Sequence, residues 1–352
     1  MTTRFAHLFA VCIWILSISS AVLADGADVR EAFEKHMADN GVVGGSVAIV
    51  KDGKVLFADG FGWQDRDAKI EATGDTVYRL ASISKPVTTI AALQLVESGK
   101  MSLFAHAQRY APAFPTKEYT FTLRHLLTHT AGIRHYLVTR QDNGIERIDK
   151  TSDAIKKFAD DDLLYEPGTR YRYSTHAFTL VALMIEGASG MTFEEYLTVN
   201  VFERASLGSL RLEKREIENK HRSQLYGKDR NGVGQLPIRV EDNSWKYAGG
   251  GMESSPIDLA RFGDAVLHNK LLKKVTVDFM WSAQFFGGFD TGRGLGWALT
   301  GEGNPVHGGS QQGSRTYLYV DRKTGLVYCV MTNTGGHDVG ALMNAVIEAW
   351  ES

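Results

Sequence analysis

Hydrophobic and polar positions change period along the chain, and the changes mark out its elements. Ser46-Val-Ala-Ile-Val50 and Lys54-Val-Leu-Phe-Ala58 are short runs rich in β-branched and aromatic residues. They flank Lys51-Asp52-Gly53, and an Asp-Gly pair between two such runs predicts a tight hairpin. Near the other end, Thr316-Tyr-Leu-Tyr-Val320 and Leu326-Val-Tyr-Cys-Val-Met-Thr332 flank a polar turn that closes on Gly325. Two hairpins at opposite ends of a chain join most simply in one antiparallel sheet, with the terminal helices packed on it. The last of these helices is expected over Val339 to Trp350.

The middle of the chain reads as helical. Lys85 to Ser98 carries Val87, Ile90, Ala91, Ala92, Leu93, Leu95 and Val96, apolar on nearly every side, and Gly99 supplies a stop. A helix of that kind is buried within its domain. Pro86 is tolerated only in the first turn, so the helix starts near Ser82 to Lys85. His176 to Gly187 is a second helix, with Phe178, Val181, Ala182 and Ile185 along one side. Thr192-Phe-Glu-Glu195 is a capping-box pattern that opens a third. No repeat, low-complexity block or linker divides the sequence. The expected fold is α/β: an antiparallel sheet formed from both chain ends and flanked by helices, with a mainly helical lobe inserted. The α/β lobe covers about 25–84 and 232–352, and the helical lobe about 85–231.

Composition narrows the functional classes. The 352 residues are 43% hydrophobic and 23% charged, ordinary values for a folded domain. Lys plus Arg number 39 against 41 Asp plus Glu, a net charge of -2 that leaves no basic footprint for nucleic acid. The first 24 residues have the form of an export signal: Arg4, an apolar run from Leu8 to Ile18, then Val22 and Ala24 before a cut at Asp25. The run is short of the roughly 20 residues a membrane span needs. The expectation is a signal peptide over 1–24, a secreted or periplasmic domain over 25–352, and no membrane span after signal removal. Cys12 leaves with the signal, so Cys329 is the sole mature thiol and no internal disulfide forms.

Three short patterns carry candidate chemistry. Ser82-Ile-Ser-Lys85 sits at a helix start, where residues three apart share a face. A buried lysine with a lowered pKa accepts a serine proton, and a helix N-terminus favours negative charge nearby. Tyr173-Ser174-Thr175 follows the Pro167-Gly168 turn and precedes a helix, a position suited to a catalytic phenol. His307-Gly308-Gly309-Ser310 precedes the Thr316 strand, and its glycines let a strand edge approach a ligand closely. The backbone N–H groups of Ser82 and Ser310 then offer the two donors of an oxyanion hole. Taken singly, each pattern also reads as structure: a capped helix with a surface lysine, a core tyrosine, a glycine turn.

Taken together, in the order S-x-x-K, Y-x-T, H-x-G, the chain resembles the serine β-lactamase and penicillin-binding protein superfamily. It is most similar to the branch of class C β-lactamases, D-alanyl-D-alanine peptidases, esterases and mitochondrial serine β-lactamase-like proteins. Tyr78-Arg-Leu-Ala-Ser-Ile-Ser-Lys85, Leu123-Arg-His-Leu-Leu-Thr-His-Thr-Ala-Gly-Ile133, Ala248-Gly-Gly-Gly-Met252 and Asp258-Leu-Ala-Arg-Phe262 support the match. The resemblance implies that Ser82 is the nucleophile, that Lys85 and Tyr173 activate it, and that His307 and Gly309 line the substrate-side strand. Which of Lys85 and Tyr173 takes the proton stays open at this point. It implies a small-molecule or peptidoglycan-like substrate, an acyl-enzyme on an ester, amide or β-lactam carbonyl, and no cofactor.

Two positions depart from the penicillin-recognising members, which usually carry Lys where this chain has His307 and Asn where it has Thr175. An unperturbed imidazole is mostly neutral at pH 7, and a threonine offers one hydroxyl where asparagine offers an amide. Both changes favour an esterase or a D-amino-acid peptidase over an efficient β-lactamase. Arg315 is the expected replacement for the missing cation. The competing class is a non-catalytic, penicillin-binding-like module for peptidoglycan fragments or a partner protein; a broken Ser-Lys-Tyr set would mark it, and here all three are present. His125 and His129, four apart, have a spacing seen at metal sites, but no Glu follows His125 and no third ligand is evident, so no metal is expected. Gly232-Val-Gly234 lacks the third glycine of a dinucleotide loop. Asp160 to Asp162 reads as a solvated helix end, and Cys329 as a packed thiol.

Overall fold

Asp52 and Gly53 both take left-handed backbone, with φ of 52° and 76°. That pair of conformations matches a two-residue turn to the right-handed twist of its strands. It joins β1 (Gly44–Lys51) to β2 (Lys54–Asp65), with Lys51 opposite Lys54. The computed structural model describes residues 26–137, 146–228 and 235–352. The expected signal segment and Gly232-Val-Gly234 lie outside the described residues.

Five further strands complete the main sheet: β3 (Ile70–Glu71), β4 (Ala298–Leu299), β5 (Pro305–Gln311), β6 (Ser314–Val320) and β7 (Leu326–Thr332). Their order is β4-β5-β6-β7-β1-β2-β3, with antiparallel neighbours throughout. The first strand pairs with the last, from Gly45 opposite Thr332 to Lys51 opposite Leu326. Both chain ends thus close one sheet, as the two hairpins led one to expect.

The helices that frame the sheet and the site are α1 (Ala27–Asn40), α2 (Ser84–Glu97), α3 (Thr175–Ser189), α4 (Tyr247–Gly250), α5 (Pro256–Leu267) and α6 (Val339–Glu351). Because strand residues alternate sides, β1 and β7 each feed two cores. Val47, Ile49, Tyr328 and Val330 pack under Phe33 of α1 and Leu342 and Val346 of α6. Ala48, Val50, Val327, Cys329 and Met331 join the core that contains Phe262 and Val266 of α5. Burial on both faces is why the run from Leu326 to Met331 is apolar without alternation. Cys329 is a packed thiol, its pKa raised well above the ordinary value by burial.

The helix carrying Lys85 is buried without a break from Ser84 to Leu95. It begins at Ser84, inside the Ser82–Lys85 window that its sequence pattern suggests, and a 3₁₀ turn over Ala81–Ile83 precedes it. Ala81 enters that turn with φ of 47°, an uncommon conformation for a residue with a Cβ. The Thr192 capping box forms as expected: the backbone N–H of Thr192 donates to Glu195 Oε2 at 2.9 Å, and that of Glu195 to Thr192 Oγ1 at 3.3 Å. Among the described residues no helix is long and apolar enough to cross a membrane.

Candidate active site

The site forms where the edge of the sheet meets the 3₁₀ turn. β4 pairs with β5 only at Pro305 and Val306, so β5 from His307 onward presents a free edge to Ala81–Ile83. A Cβ on Gly309 would lie 2.1 Å from Thr316 Oγ1 and 2.4 Å from Leu80 O, distances no side chain tolerates. The glycine is therefore what lets the strand reach the turn. Thr316 Oγ1 donates to Leu80 O at 3.0 Å and Ser314 Oγ to Arg79 O at 2.9 Å, stitching β6 to the residues just before Ser82.

Two elements converge on Ser82 Oγ, and a third on its lysine neighbour. From the start of α2, Lys85 Nζ comes within 3.2 Å, and from the residue preceding the Ser174 cap of α3, Tyr173 OH donates to it at 2.7 Å. From α4, the carbonyl of Gly249 accepts from Lys85 Nζ at 2.5 Å. Thr175 Oγ1 lies 3.2 Å from the same nitrogen. Gly249 is constrained like Gly309: a Cβ there would lie 2.7 Å from Thr175 Cγ2. Ser82 is half-buried on the wall of a cavity of about 480 Å³. Thr175, Tyr173, His307, Gly309 and Ser310 line the same cavity.

Burial sets the protonation states. Lys85 is fully buried and its pKa lies well below the ordinary lysine value, first through burial and then through the positive charge of Lys246. Burial pushes the Tyr173 phenol up, so it is held protonated, with the Ser82 hydrogen bond opposing in part. An amine at Lys85 has two N–H donors and one lone pair. The donors match Gly249 O and Thr175 Oγ1, and the lone pair is left for the Ser82 hydroxyl. With Lys85 as an amine, the proton order is Tyr173 O–H to Ser82 Oγ and Ser82 O–H to Lys85 Nζ; with Lys85 as an ammonium, Lys85 Nζ and Tyr173 O–H both donate to Ser82 Oγ.

His307 is 7% exposed and is pushed down to about 3, by burial first and then by Lys85. Its Nδ1 lies 2.8 Å from Gly308 O, which only accepts, so Nδ1 carries the proton and Nε2 the lone pair. Unfolded, this imidazole titrates near pH 6.5. The unfolded chain therefore binds the extra proton between pH 6.5 and 3, and stability falls as pH drops through that window. At pH 5 this group alone is expected to withdraw about 2 kcal/mol relative to pH 7.5. Urea midpoints at the two pH values check this; His307→Asn should narrow the gap between them, and an unchanged gap would place the acid sensitivity elsewhere.

Arg315, the cation expected at this site, is not among the lining residues. Arg315 shares a face of β6 with Tyr317, which does line the cavity, but its guanidinium is held back at the turn between β5 and β6. There its Nη1 donates to Gln311 O and Ser314 O. The guanidinium that lines the cavity belongs to Arg293, 5.3 Å from the Tyr171 ring, in the glycine-rich segment before β4. No local pattern around Arg293 distinguishes it from a solvated loop arginine.

The two histidines with metal-like spacing each have a backbone task. His125 Nδ1 accepts from Thr122 N–H at the N-cap of a short helix. His129 Nδ1 accepts from Ser174 N–H, and its ring lies 4.4 Å from that of Tyr173. Among the described residues no three His, Cys, Asp or Glu side chains form a group able to hold a metal ion. Asp161, expected only to be solvated, pairs with Arg134 at 2.5 Å.

A sheet built from both chain termini, with a Ser-Lys-Tyr cluster at its edge under helices, defines a protein of the β-lactamase and penicillin-binding fold. The beta-lactamase family model matches residues 29–349, and the chain belongs to that family of hydrolases. It is 28% identical over 309 residues to the human serine beta-lactamase-like protein LACTB, mitochondrial, covering 68% of this chain and 56% of that one. The chain thus spans about half the length of the curated relatives it matches first. Among solved structures, the octameric penicillin-binding protein homologue from Pyrococcus abyssi superposes with a TM-score of 0.79 at 25% identity, over 92% of this chain and 76% of that one. A D-stereospecific amidohydrolase from Streptomyces sp. gives 0.76 at 24% identity, over 91% and 98%.

Proposed function

We propose that this protein is a serine hydrolase that cleaves an ester or amide carbonyl through an acyl-enzyme on Ser82. The observation that carries this reading is the placement of Ser82 Oγ between a buried amine at 3.2 Å and a phenol at 2.7 Å on a cavity wall. Ser82 Oγ attacks the carbonyl carbon as its proton passes to Lys85 Nζ, so the phenol, held protonated by burial, is not the base. The carbonyl oxygen becomes an oxyanion received by the N–H groups of Ser82 and Ser310. As the intermediate collapses, the leaving group takes the Tyr173 proton, which Lys85 replaces. Water then repeats the sequence on the acyl group and releases the acid. Incubation with a fluorophosphonate, an activated ester or a penicillin, read by intact mass, tests the reading. An adduct present in the wild type and missing from Ser82→Ala supports it, whereas saturable ligand binding with no adduct from any probe favours the non-catalytic module.

Esters are proposed as better substrates than β-lactams. A β-lactam carboxylate beside His307 meets a neutral ring with its lone pair on Nε2, and the single hydroxyl of Thr175 is already engaged by Lys85. Arg293 is the proposed partner for an anionic substrate group, at a different point on the cavity wall. Losing one hydrogen bond to a charged group costs about tenfold or more in transition-state binding. We therefore expect kcat/KM for p-nitrophenyl butyrate to exceed that for nitrocefin by at least about tenfold. A clear preference for nitrocefin would show that His307 and Thr175 do not limit β-lactam turnover.

A further inference from the structure

Lys246 is a second buried lysine near the site, and the proton transfers above leave it without a task. It is 4% exposed, on the turn that leads into α4. Its Nζ lies 5.0 Å from the centroid of the Trp245 ring and 5.0 Å from that of Tyr136. Among the described residues it makes no ion pair, although a buried ammonium ordinarily has one. Tyr136 lines the catalytic cavity, but Lys246 does not, so contact with substrate is not its role.

Its setting ties it to Lys85. Lys246 and Gly249 lie three apart on one helical turn, and the carbonyl of Gly249 is the one that receives Lys85 Nζ. The stem of Lys246 packs by Gly250, where a Cβ would meet its Cδ at 3.7 Å. The segment before the turn is anchored by a buried network. Arg79 Nε donates to Glu213 Oε1 at 2.8 Å, Asn243 Nδ2 donates to Glu213 Oε2 at 2.8 Å, and Arg79 Nη2 donates to Glu241 O at 2.9 Å. The charged groups around Lys246 are therefore Arg79, Glu213 and Glu241, with Lys85 on the side of the site. Arg79 and Glu213 largely cancel.

We propose that Lys246 is a positioning residue whose fixed ammonium, caged by Tyr136 and Trp245 behind the Gly249 carbonyl, keeps Lys85 in the amine form that accepts the Ser82 proton. The inference rests on the acyl-transfer reading above. Lys246 is itself lowered to about 8, by burial first and then by Arg79, which leaves it charged at neutral pH. His307 and His129, the other titratable rings that couple to Lys85, are held neutral by burial. The cation felt at Lys85 is Lys246. At an effective dielectric of about 20, a cation roughly 10 Å away is enough to move an amine by about one pH unit.

The test is the pH profile of kcat/KM for p-nitrophenyl butyrate in wild type, Lys246→Met and Lys246→Arg. Removing the charge is expected to move the acid limb to higher pH by about one unit, so activity on that limb drops about tenfold. Above about pH 8, where Lys246 loses its own proton, the wild-type and Lys246→Met profiles should converge. Lys246→Arg, which keeps the charge, should retain the wild-type limb. An unmoved limb in Lys246→Met overturns the proposal, and so does an equal loss in both variants, because that marks a packing role. The Lys85 titration, followed by NMR in lysine-labelled protein, separates this from the parent reading. A titration that shifts in Lys246→Met supports the inference even if Ser82-dependent turnover is missing, in which case the acyl-transfer reading alone falls. A titration that does not shift overturns the inference whatever the turnover.

Discussion

Replacing Ser82 with alanine is expected to lower kcat/KM for ester hydrolysis by at least about 10⁴-fold and to abolish labelling by fluorophosphonate or penicillin probes. The magnitude follows from what is removed. Without the oxygen no covalent intermediate forms, and only the oxyanion donors and the cavity remain to act on water. The fold should be indifferent to the change. Ser82 is half-buried, and the hydrogen bonds that hold its turn come from Ser84, Ser314 and Thr316. Thermal unfolding of the variant should stay close to the wild-type curve. Turnover within about tenfold of wild type would remove Ser82 from the chemistry.

Lys85→Met is expected to cost about 10³- to 10⁴-fold, at the upper end for a positioned proton acceptor, because the same group also returns the proton to the leaving group. Methionine has a similar length and is at home in an apolar site, so the buried helix keeps its packing. Gly249 O loses its partner in exchange, which costs about 1–3 kcal/mol and should appear as a modest loss of thermal stability. Tyr173→Phe separates the two roles. It removes the proton relay but leaves the base, so a smaller loss of about 10²- to 10³-fold is expected, with the acid limb of the pH profile retained. In Lys85→Met that limb should vanish from whatever activity is left. If Tyr173→Phe erased the limb and Lys85→Met kept it, the phenol would be the base.

Local patterns were legible where the physics is local. The β-branched run from Ser46 to Val50, the left-handed turn at Asp52 and Gly53, and the Thr192–Glu195 capping box each depend on residues within a few positions of one another. They can therefore be read from the chain. So can the closeness of Ser82 and Lys85, since three residues along one turn leave the side chains no other place to go. The start of α2 was legible to within Ser82–Lys85, but the 3₁₀ turn before it was not, because that turn depends on how Ala81 is pressed by β5 and β6.

By itself, then, the sequence determined the order of elements, the single sheet closed by both ends, and the Ser-Lys spacing at a buried helix start. Tertiary structure alone decided the electrostatics. Arg293 rather than Arg315 lines the cavity because carbonyls of the β5–β6 turn hold the Arg315 guanidinium, while a remote loop folds back over the site. Burial, which no tetrapeptide encodes, silences His307 and lowers the pKa of Lys85 well below the ordinary lysine value. Gly249 O reaches the catalytic amine only because α4, far along the chain, packs against α2. A pKa depends on everything within a few ångströms, and those neighbours are chosen by the fold.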